Sequence, residues 1–223
     1  MRKVPFKIGE RYHIYNRGVD KRDIFSDRLD FQRFFQSMLE FNAVEPIGSI
    51  FQNSFKKGKE QPLGHQMSKL NGKLVNIICY SISPNHFHFI LEPLVEGGIE
   101  KFMQKLGNGY TKYFNHKQDR SGVLFQGVFK SVHIDSNEYL LHLSVYINLN
   151  NLIHKTLGHQ MSKSSWEEYV GNANKAGLCK NKKLILGQFR NKQEYKVFAE
   201  KFVKGMIERK EMLKNMQSYL LEN

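Results

Sequence analysis

Hydrophobic and polar positions recur along the first two-thirds of the chain in patterns that predict strands and helices. Alternation predicts a strand at Arg11–Asn16, and helical spacing of apolar residues predicts a helix at Arg28–Phe41 with Asp27 as its N-cap. The patterns that follow predict, in order, strands at Lys73–Ser83 and His86–Glu92, a helix at Ile99–His116, a strand at Phe125–Ile134 and helices at Asp135–Asn150 and Asn191–Leu221.

This order of elements is typical of an α+β fold. The succession strand, helix, two strands, helix, strand belongs to ferredoxin-like or RRM-like folds, in which helices cover one face of an antiparallel sheet. We therefore expect a main domain over residues 1–156, with a polar loop insertion at about 53–72. A mostly helical C-terminal extension is expected over residues 157–223.

One seven-residue segment occurs twice in the chain. Leu63–Lys69 and Leu157–Lys163 are identical, and both lie in predicted loops. Two copies are too few for a solenoid, which needs a stack of repeats. We interpret them as insertions of a kind that loops tolerate. The alternative is a paired metal or partner site that uses His65 and His159.

The charge composition of the chain indicates which class of molecule it binds. The chain has 34 Lys and Arg against 21 Asp and Glu, a formal net charge of +13, which favours an anionic partner and above all nucleic acid. The alternative is a basic surface that serves only solubility. Two cysteines are too few for a disulfide framework. Neither a signal peptide nor a membrane-spanning run is recognisable, so we expect a cytoplasmic protein without membrane contact.

Two histidines on one predicted strand form a candidate metal site. His86 and His88 are two positions apart, so on a strand their side chains project to the same face. Two imidazoles at this spacing can bind one divalent cation, and a mixed site with an amide oxygen can accept Mg or Mn. The alternative is a pair of half-exposed strand histidines without a ligand.

A tyrosine on the helix predicted at Asp135–Asn150 is a candidate nucleophile. His142, Tyr146 and Asn150 are four residues apart and would share one helix face. A phenol needs a nearby cation or base to react at neutral pH. A metal held by His86 and His88 would supply the cation. The alternative is that Tyr146 packs in the core, with its hydroxyl hydrogen-bonded.

Basic residues at several points of the chain are candidates for contacts with nucleic-acid phosphates. Such contacts give salt-dependent binding, and aromatic residues nearby can stack on bases. The basic candidates are Arg17, Lys21, Arg22, Lys105, Lys112 and Lys130.

Five sequence stretches together resemble the REP-associated tyrosine transposases, relatives of the single-tyrosine HUH transposases of bacterial insertion sequences. They have the order and approximate spacing of that family's motifs and cover about two-thirds of the chain. The stretches are Tyr12–Gly18, Ser83–His88, Tyr110–Asn115, Gly122–Lys130 and Tyr146–Asn150.

The resemblance implies a division of roles among these residues. It implies that residues 1–156 form an HUH transposase-like catalytic domain with an RRM-like fold. In it, His86 and His88 would be metal ligands, Asn150 the third ligand and Tyr146 the nucleophile. The implied activity is metal-dependent nicking and joining of single-stranded or hairpin DNA through a 5′-phosphotyrosine link. Mg or Mn is the implied cofactor, and a homodimer is among the expected assemblies.

The chain departs from the family pattern after Asn150. The family usually continues with proline, whereas this chain continues Asn151-Leu152-Ile153. Without the proline, the helix end is less sharply defined. Two other functions are compatible with the same residues. One is an RRM-like protein that binds single-stranded or structured nucleic acid without chemistry. The other is a metal-dependent phosphoesterase that uses activated water.

Overall fold

The protein is an α+β fold built on one antiparallel sheet, as seen in a computed structural model. The structure describes residues 5–48, 50, 72–153, 162–171 and 177–221, with side chains as far as residue 212. The elements are β1 (Tyr12–Arg17), α1 (Arg28–Glu40), β2 (Val75–Ser83), β3 (His86–Pro93), α2 (Gly98–Lys117), β4 (Lys130–His133), α3 (Asn137–Asn148), α4 (Asn150–Ile153), β5 (Lys163–Ser164), α5 (Trp166–Val170), α6 (Lys183–Leu186) and α7 (Lys192–Leu221).

The strand order is β4-β1-β3-β2-β5, and all the pairs are antiparallel. The first four strands with α1 and α2 have the connectivity of a ferredoxin-like unit. The central pair β1 and β3 is in register, with Tyr15 opposite His88 and Arg17 opposite His86. The predicted α+β class and antiparallel sheet are therefore confirmed.

Local sequence explains the ends of the first helix and the faces of the central strand. Asp27 accepts a hydrogen bond from the Asp30 amide at 3.0 Å, which is the N-cap expected from the sequence. On β3, Phe87 and Phe89 are buried on one face while His86 and His88 lie on the other.

Helices cover both faces of the sheet, which corrects the prediction that they lie on one face. On the first face, Phe34 of α1 packs against Phe87 and Phe89. On the opposite face, the ring of Tyr146 from α3 meets His88. The two helices of the ferredoxin-like unit do lie together. The later helices cover the second face because β2 is largely apolar on both sides, so both sides need burial.

Two predicted elements are shorter in the structure. The strand predicted at Phe125–Ile134 is regular only at Lys130–His133, because Gly127 adopts a left-handed backbone with φ of 69° that ends the extended conformation. The helix predicted as far as Asn150 ends at Asn148. Leu149 has φ of −114° and ψ of 24°, and Asn150 begins the next short helix.

The C-terminal region belongs to the same sheet and core. Strand β5 pairs with the edge of β2, and Tyr195 of α7 is fully buried. The predicted domain boundary near residue 156 and most of the predicted loop insertion lie outside the described residues. So do the first repeat copy and most of the second. Among the described residues, no helix has the length and apolar character needed to cross a membrane.

Candidate functional site

A cavity of about 390 Å³ opens on the sheet face that carries His86 and His88. Strands β1 and β3 form its floor, and α3 contributes Tyr146. The structure thus brings predicted site residues from four separate stretches of the chain around one space. These are Arg17, Lys21, His86, His88, Lys130 and Tyr146.

The orientation of His86 is fixed by a chain of hydrogen bonds. Asn85 donates from Nδ2 to the Lys21 carbonyl at 3.2 Å, so its Oδ1 faces the His86 ring. His86 Nδ1 lies 2.6 Å from that oxygen, and Nδ1 must therefore carry the proton that is donated. The lone pair of the neutral ring is then on Nε2.

The Nε2 atom of His86 faces Asn150, which is buried beside β2 and β3. The distance from Nε2 to Asn150 Oδ1 is 3.2 Å, and the same oxygen accepts from Ser83 Oγ at 3.3 Å. Burial lowers the pKa of His86, which disfavours the protonated ring. Two acceptors at this distance would be reconciled by a cation that binds both, or by a reversed amide that donates from Nδ2.

The donor set of this site fits a divalent cation. The side chain of Asn150 is buried, and its Oδ1 points towards His86. Two imidazole nitrogens with an amide oxygen match the ligand preferences of borderline and hard divalent metals. In the part of the chain that the structure describes, no group of three or more His, Cys, Asp or Glu forms a metal cluster. A metal here would therefore depend on the Asn150 amide as third ligand.

The second imidazole of the site lies among three other rings. His88 is 5.2 Å from His86 between ring centroids, 5.6 Å from Tyr15 and 5.1 Å from His13. Its Nδ1 atom is 2.9 Å from Nε2 of His13. His13 is buried, and burial lowers its pKa to about 4, so this ring is neutral at physiological pH.

Tyr146 reaches the same group of rings from the opposite side. Its ring meets His88 edge-on, with 5.6 Å between centroids and 88° between planes. Burial raises the pKa of the Tyr146 phenol, an effect that the neighbouring Asn150 amide offsets in part. The phenol is therefore protonated at neutral pH and needs help to act as a nucleophile. The position of the ring beside His88 makes such help from a bound cation feasible.

The predicted helical series divides after Tyr146. His142 stacks on Phe202 of α7 at 4.5 Å between centroids, so it lies in a helix contact rather than in the cavity. Asn150 reaches His86 from the start of α4, after the backbone has turned at Leu149. Helical spacing alone therefore does not explain how Tyr146 and Asn150 come to the same site.

The basic candidates divide into two groups. Arg17, Lys21 and Lys130 line the cavity beside the histidines. The others point elsewhere: Arg22 pairs with Asp20 at 3.5 Å, Lys105 donates to the Ala43 carbonyl at 2.7 Å, and Lys112 lines a second cavity beside α2.

Sequence reasoning missed two residues that orient the histidines. His13 and Asn85 both lie within the family-like stretches but were not assigned a role there. The alternation of β1 is the signal that could have found His13, because it places His13 on the same face as Tyr15. The role of Asn85 depends on the turn at Gly18–Lys21; the sequence indicates a turn there, but not the left-handed backbone of Lys21.

That turn contains a close backbone approach at Gly18 and two residues with a left-handed backbone, Asp20 with φ of 55° and Lys21. A Cβ atom at Gly18 would lie 2.3 Å from the Arg22 carbonyl oxygen, so only glycine fits there. Lys21 adopts a left-handed backbone with φ of 59°, and its carbonyl is the acceptor for Asn85. Such strained conformations persist where the surrounding structure holds them, often at functional sites.

The chain was compared with family models, curated proteins and solved structures. No family model and no curated protein matches the chain. Among solved structures, a REP-associated tyrosine transposase bound to a REP hairpin matches with 15% identity and a TM-score of 0.47, over 77% of this chain and 86% of that one. It comes from the family that the sequence stretches resemble.

Proposed function

We propose that this protein nicks and joins single-stranded or hairpin DNA through Tyr146, with Mg or Mn held by His86, His88 and Asn150. The observation that carries the proposal is the meeting of these side chains. The Tyr146 ring is 5.6 Å from that of His88, and Asn150 Oδ1 is 3.2 Å from His86 Nε2. Residues from a strand and from a distant helix thus surround one cavity.

The protein residues would divide the chemistry as follows. The Tyr146 oxygen attacks a backbone phosphorus as the phenol loses its proton to solvent. The bond from phosphorus to the 3′-oxygen breaks, and that oxygen takes up a proton. The product is a 5′-phosphotyrosine link and a 3′-hydroxyl on the other strand end. Attack of a 3′-hydroxyl on the link reverses these steps and joins strands.

His86, His88 and Asn150 would hold the cation. A divalent cation at this position supplies positive charge to a phosphate oxygen and lowers the pKa of a nearby phenol. Arg17, Lys21 and Lys130 line the same cavity and would hold the phosphates on either side of the reacting one. Their exposure leaves them accessible to a strand of DNA that enters from solvent.

Denaturing gels for a covalent adduct test the nucleophile. The protein is incubated with labelled hairpin-containing single strands and Mg or Mn. Tyr146→Phe should form no adduct, because it lacks the attacking oxygen, yet should still bind the strands. Tyr139→Phe is the matched control, since Tyr139 lies on the same helix but does not line the cavity, and it should form the adduct normally. An adduct with Tyr146→Phe would rule out the proposed nucleophile.

Other outcomes identify the alternatives. Tight binding with no adduct in the wild-type protein would indicate a nucleic-acid-binding protein without this chemistry. Metal-dependent cleavage that survives in Tyr146→Phe would indicate a phosphoesterase that uses water. Activity that persists in His86→Ala and in His88→Ala, and in the presence of chelator, would exclude the metal site.

The dependence of binding on salt tests the cationic residues. Lys130→Gln should weaken binding at every sequence and reduce the slope of log K against log salt by about 0.7 to 1, the value of one phosphate contact. Lys105→Gln should leave the slope unchanged, because Lys105 is engaged with the Ala43 carbonyl away from the cavity. Equal effects of the two changes would contradict the proposed path of the DNA.

A further inference from the structure

The second histidine of the site has a buried partner that belongs to no predicted role. His13 Nε2 lies 2.9 Å from His88 Nδ1, within hydrogen-bond distance. His13 is only 8% exposed and stacks on Tyr15, with 4.8 Å between ring centroids. The His13 ring is therefore held in place by its neighbours on the sheet face.

A neutral imidazole has one N–H and one lone pair, so only two arrangements of this pair are allowed. In the first, His88 donates from Nδ1 to His13 Nε2, and His88 then carries its lone pair on Nε2. In the second, His13 donates, and His88 Nε2 carries a proton and cannot bind a cation. The two arrangements therefore differ in whether His88 can serve as a ligand through Nε2.

The neighbouring histidine favours the first arrangement. His86 donates from Nδ1 to Asn85 and presents Nε2, as its hydrogen bonds require. A ligand histidine whose other nitrogen donates to a neighbouring acceptor is fixed in tautomer and in ring orientation. We propose that His13 is a positioning residue that accepts from His88 Nδ1, so that His88 presents Nε2 to the same cation as His86. This inference rests on the proposed function, because it assumes that His88 is a ligand.

The tautomer of His88 can be measured without metal or DNA. Long-range proton–nitrogen NMR spectra distinguish an imidazole protonated at Nδ1 from one protonated at Nε2, and His88→Ala identifies the signals. The wild-type protein should show His88 protonated at Nδ1. Protonation at Nε2 would overturn the proposal directly and requires no variant of His13.

Variants of His13 give the second readout, which is the affinity for Mn²⁺ measured by the signal of the unbound ion in electron paramagnetic resonance. His13→Phe keeps a ring but removes the acceptor, so the affinity should fall by about 10- to 100-fold. His13→Gln places an amide oxygen near the position of Nε2 and should restore most of the affinity. If His13→Phe does not fold, the contrast between His13→Gln and His13→Met carries the same test.

A histidine elsewhere in the sheet provides the matched control. His133 on β4 contacts Glu10 at 3.0 Å and pairs with Tyr12, so it projects to the sheet face opposite His88, and His133→Phe should leave Mn²⁺ affinity unchanged. Wild-type affinity in His13→Phe together with loss of binding in His88→Ala would overturn only the role of His13. Full binding in His88→Ala would instead overturn the metal site on which the proposed function rests.

Discussion

A directed series of buried hydrogen bonds ties the end of the Tyr146 helix to the C-terminal region. Ser165 Oγ donates to Asn148 Oδ1 at 2.5 Å, and Asn148 Nδ2 donates to the Tyr195 hydroxyl at 3.1 Å. The Tyr195 hydroxyl is 3.1 Å from Ser144 Oγ, which itself donates to the Leu141 carbonyl at 2.7 Å. Tyr195 must therefore donate to Ser144. Each hydroxyl has one proton, so the direction of the whole series is determined.

Removal of one oxygen, in Tyr195→Phe, should destabilise the protein by about 2 kcal/mol. Asn148 Nδ2 loses its only acceptor among the described residues, and a buried donor left without a partner costs about 1–3 kcal/mol. Ser144 Oγ loses the hydrogen bond that it accepted from Tyr195 but still donates to the Leu141 carbonyl, so its contribution to the loss of stability is small. For a chain of this size, a loss of this magnitude lowers Tm by about 4–8 °C.

Urea denaturation of wild type, Tyr195→Phe and Tyr169→Phe measures the difference. Tyr169 is equally buried and donates to the Ile78 carbonyl at 2.8 Å, but no side-chain amide depends on it as an acceptor among the described residues, so its loss should cost about 1 kcal/mol. In an Asn148→Leu background, Tyr195→Phe should cost much less, because no donor is then left without a partner. Equal costs in both backgrounds would refute the assignment of the bonds.

Two further predictions concern stability on the first face of the sheet. Gly107→Ala should stabilise the protein by about 0.5–1 kcal/mol, because a Cβ there meets nothing within 4 Å in the helix interior. Gly109→Ala should destabilise it in the same urea titration, because its Cβ would lie 2.4 Å from the buried ring of Phe41; a stabilising Gly109→Ala would contradict the packing. The hydrogen bond from Lys117 lowers the pKa of Asp27 in the folded protein. The ion pair therefore contributes its full stabilisation above the pKa of Asp in the unfolded chain, about 4. That stabilisation is lost as the pH falls through the lower pKa of Asp27 in the folded protein. Lys117→Met should therefore have a lower free energy of unfolding than wild type at pH 7, and the difference should shrink below about pH 4. A difference that stays constant across this range would contradict the ion pair.

Local patterns were enough to predict most of the fold. Alternation located the central strands, and the Asp27 cap located the start of α1 to the residue. These features depend on neighbours in sequence, so a single chain carries the signal. The strand order and the second layer of helices depend on contacts between distant segments. Both faces of β2 are apolar, which is consistent with two layers of helices but does not say which helix covers which face.

The types of residue in the candidate site could be predicted from the sequence, but the contacts that hold them in position could not. His86 and His88 follow from the period of a strand, since both must project to one face. Asn150 reaches His86 only because the helix ends at Asn148 and the backbone turns, which helical spacing did not predict. The Asn85 contact depends on the carbonyl of Lys21, whose left-handed backbone is uncommon for lysine and is not predicted by propensity.

The site also depends on segments that sequence reasoning treated as separate. The helix that carries Tyr146 ends at Asn148, whose amide is held by Ser165 and Tyr195 from beyond the predicted domain boundary. Leu149 and Asn150 follow directly, so the position of the third proposed ligand depends on where this helix ends. The polar groups of Asn148 are buried and would lack partners without the later segment. Because these bonds are buried and directional, they fix the helix end in a way that apolar packing alone would not. The C-terminal region therefore takes part in the geometry of the candidate site, although none of its described residues lines the cavity beside the histidines.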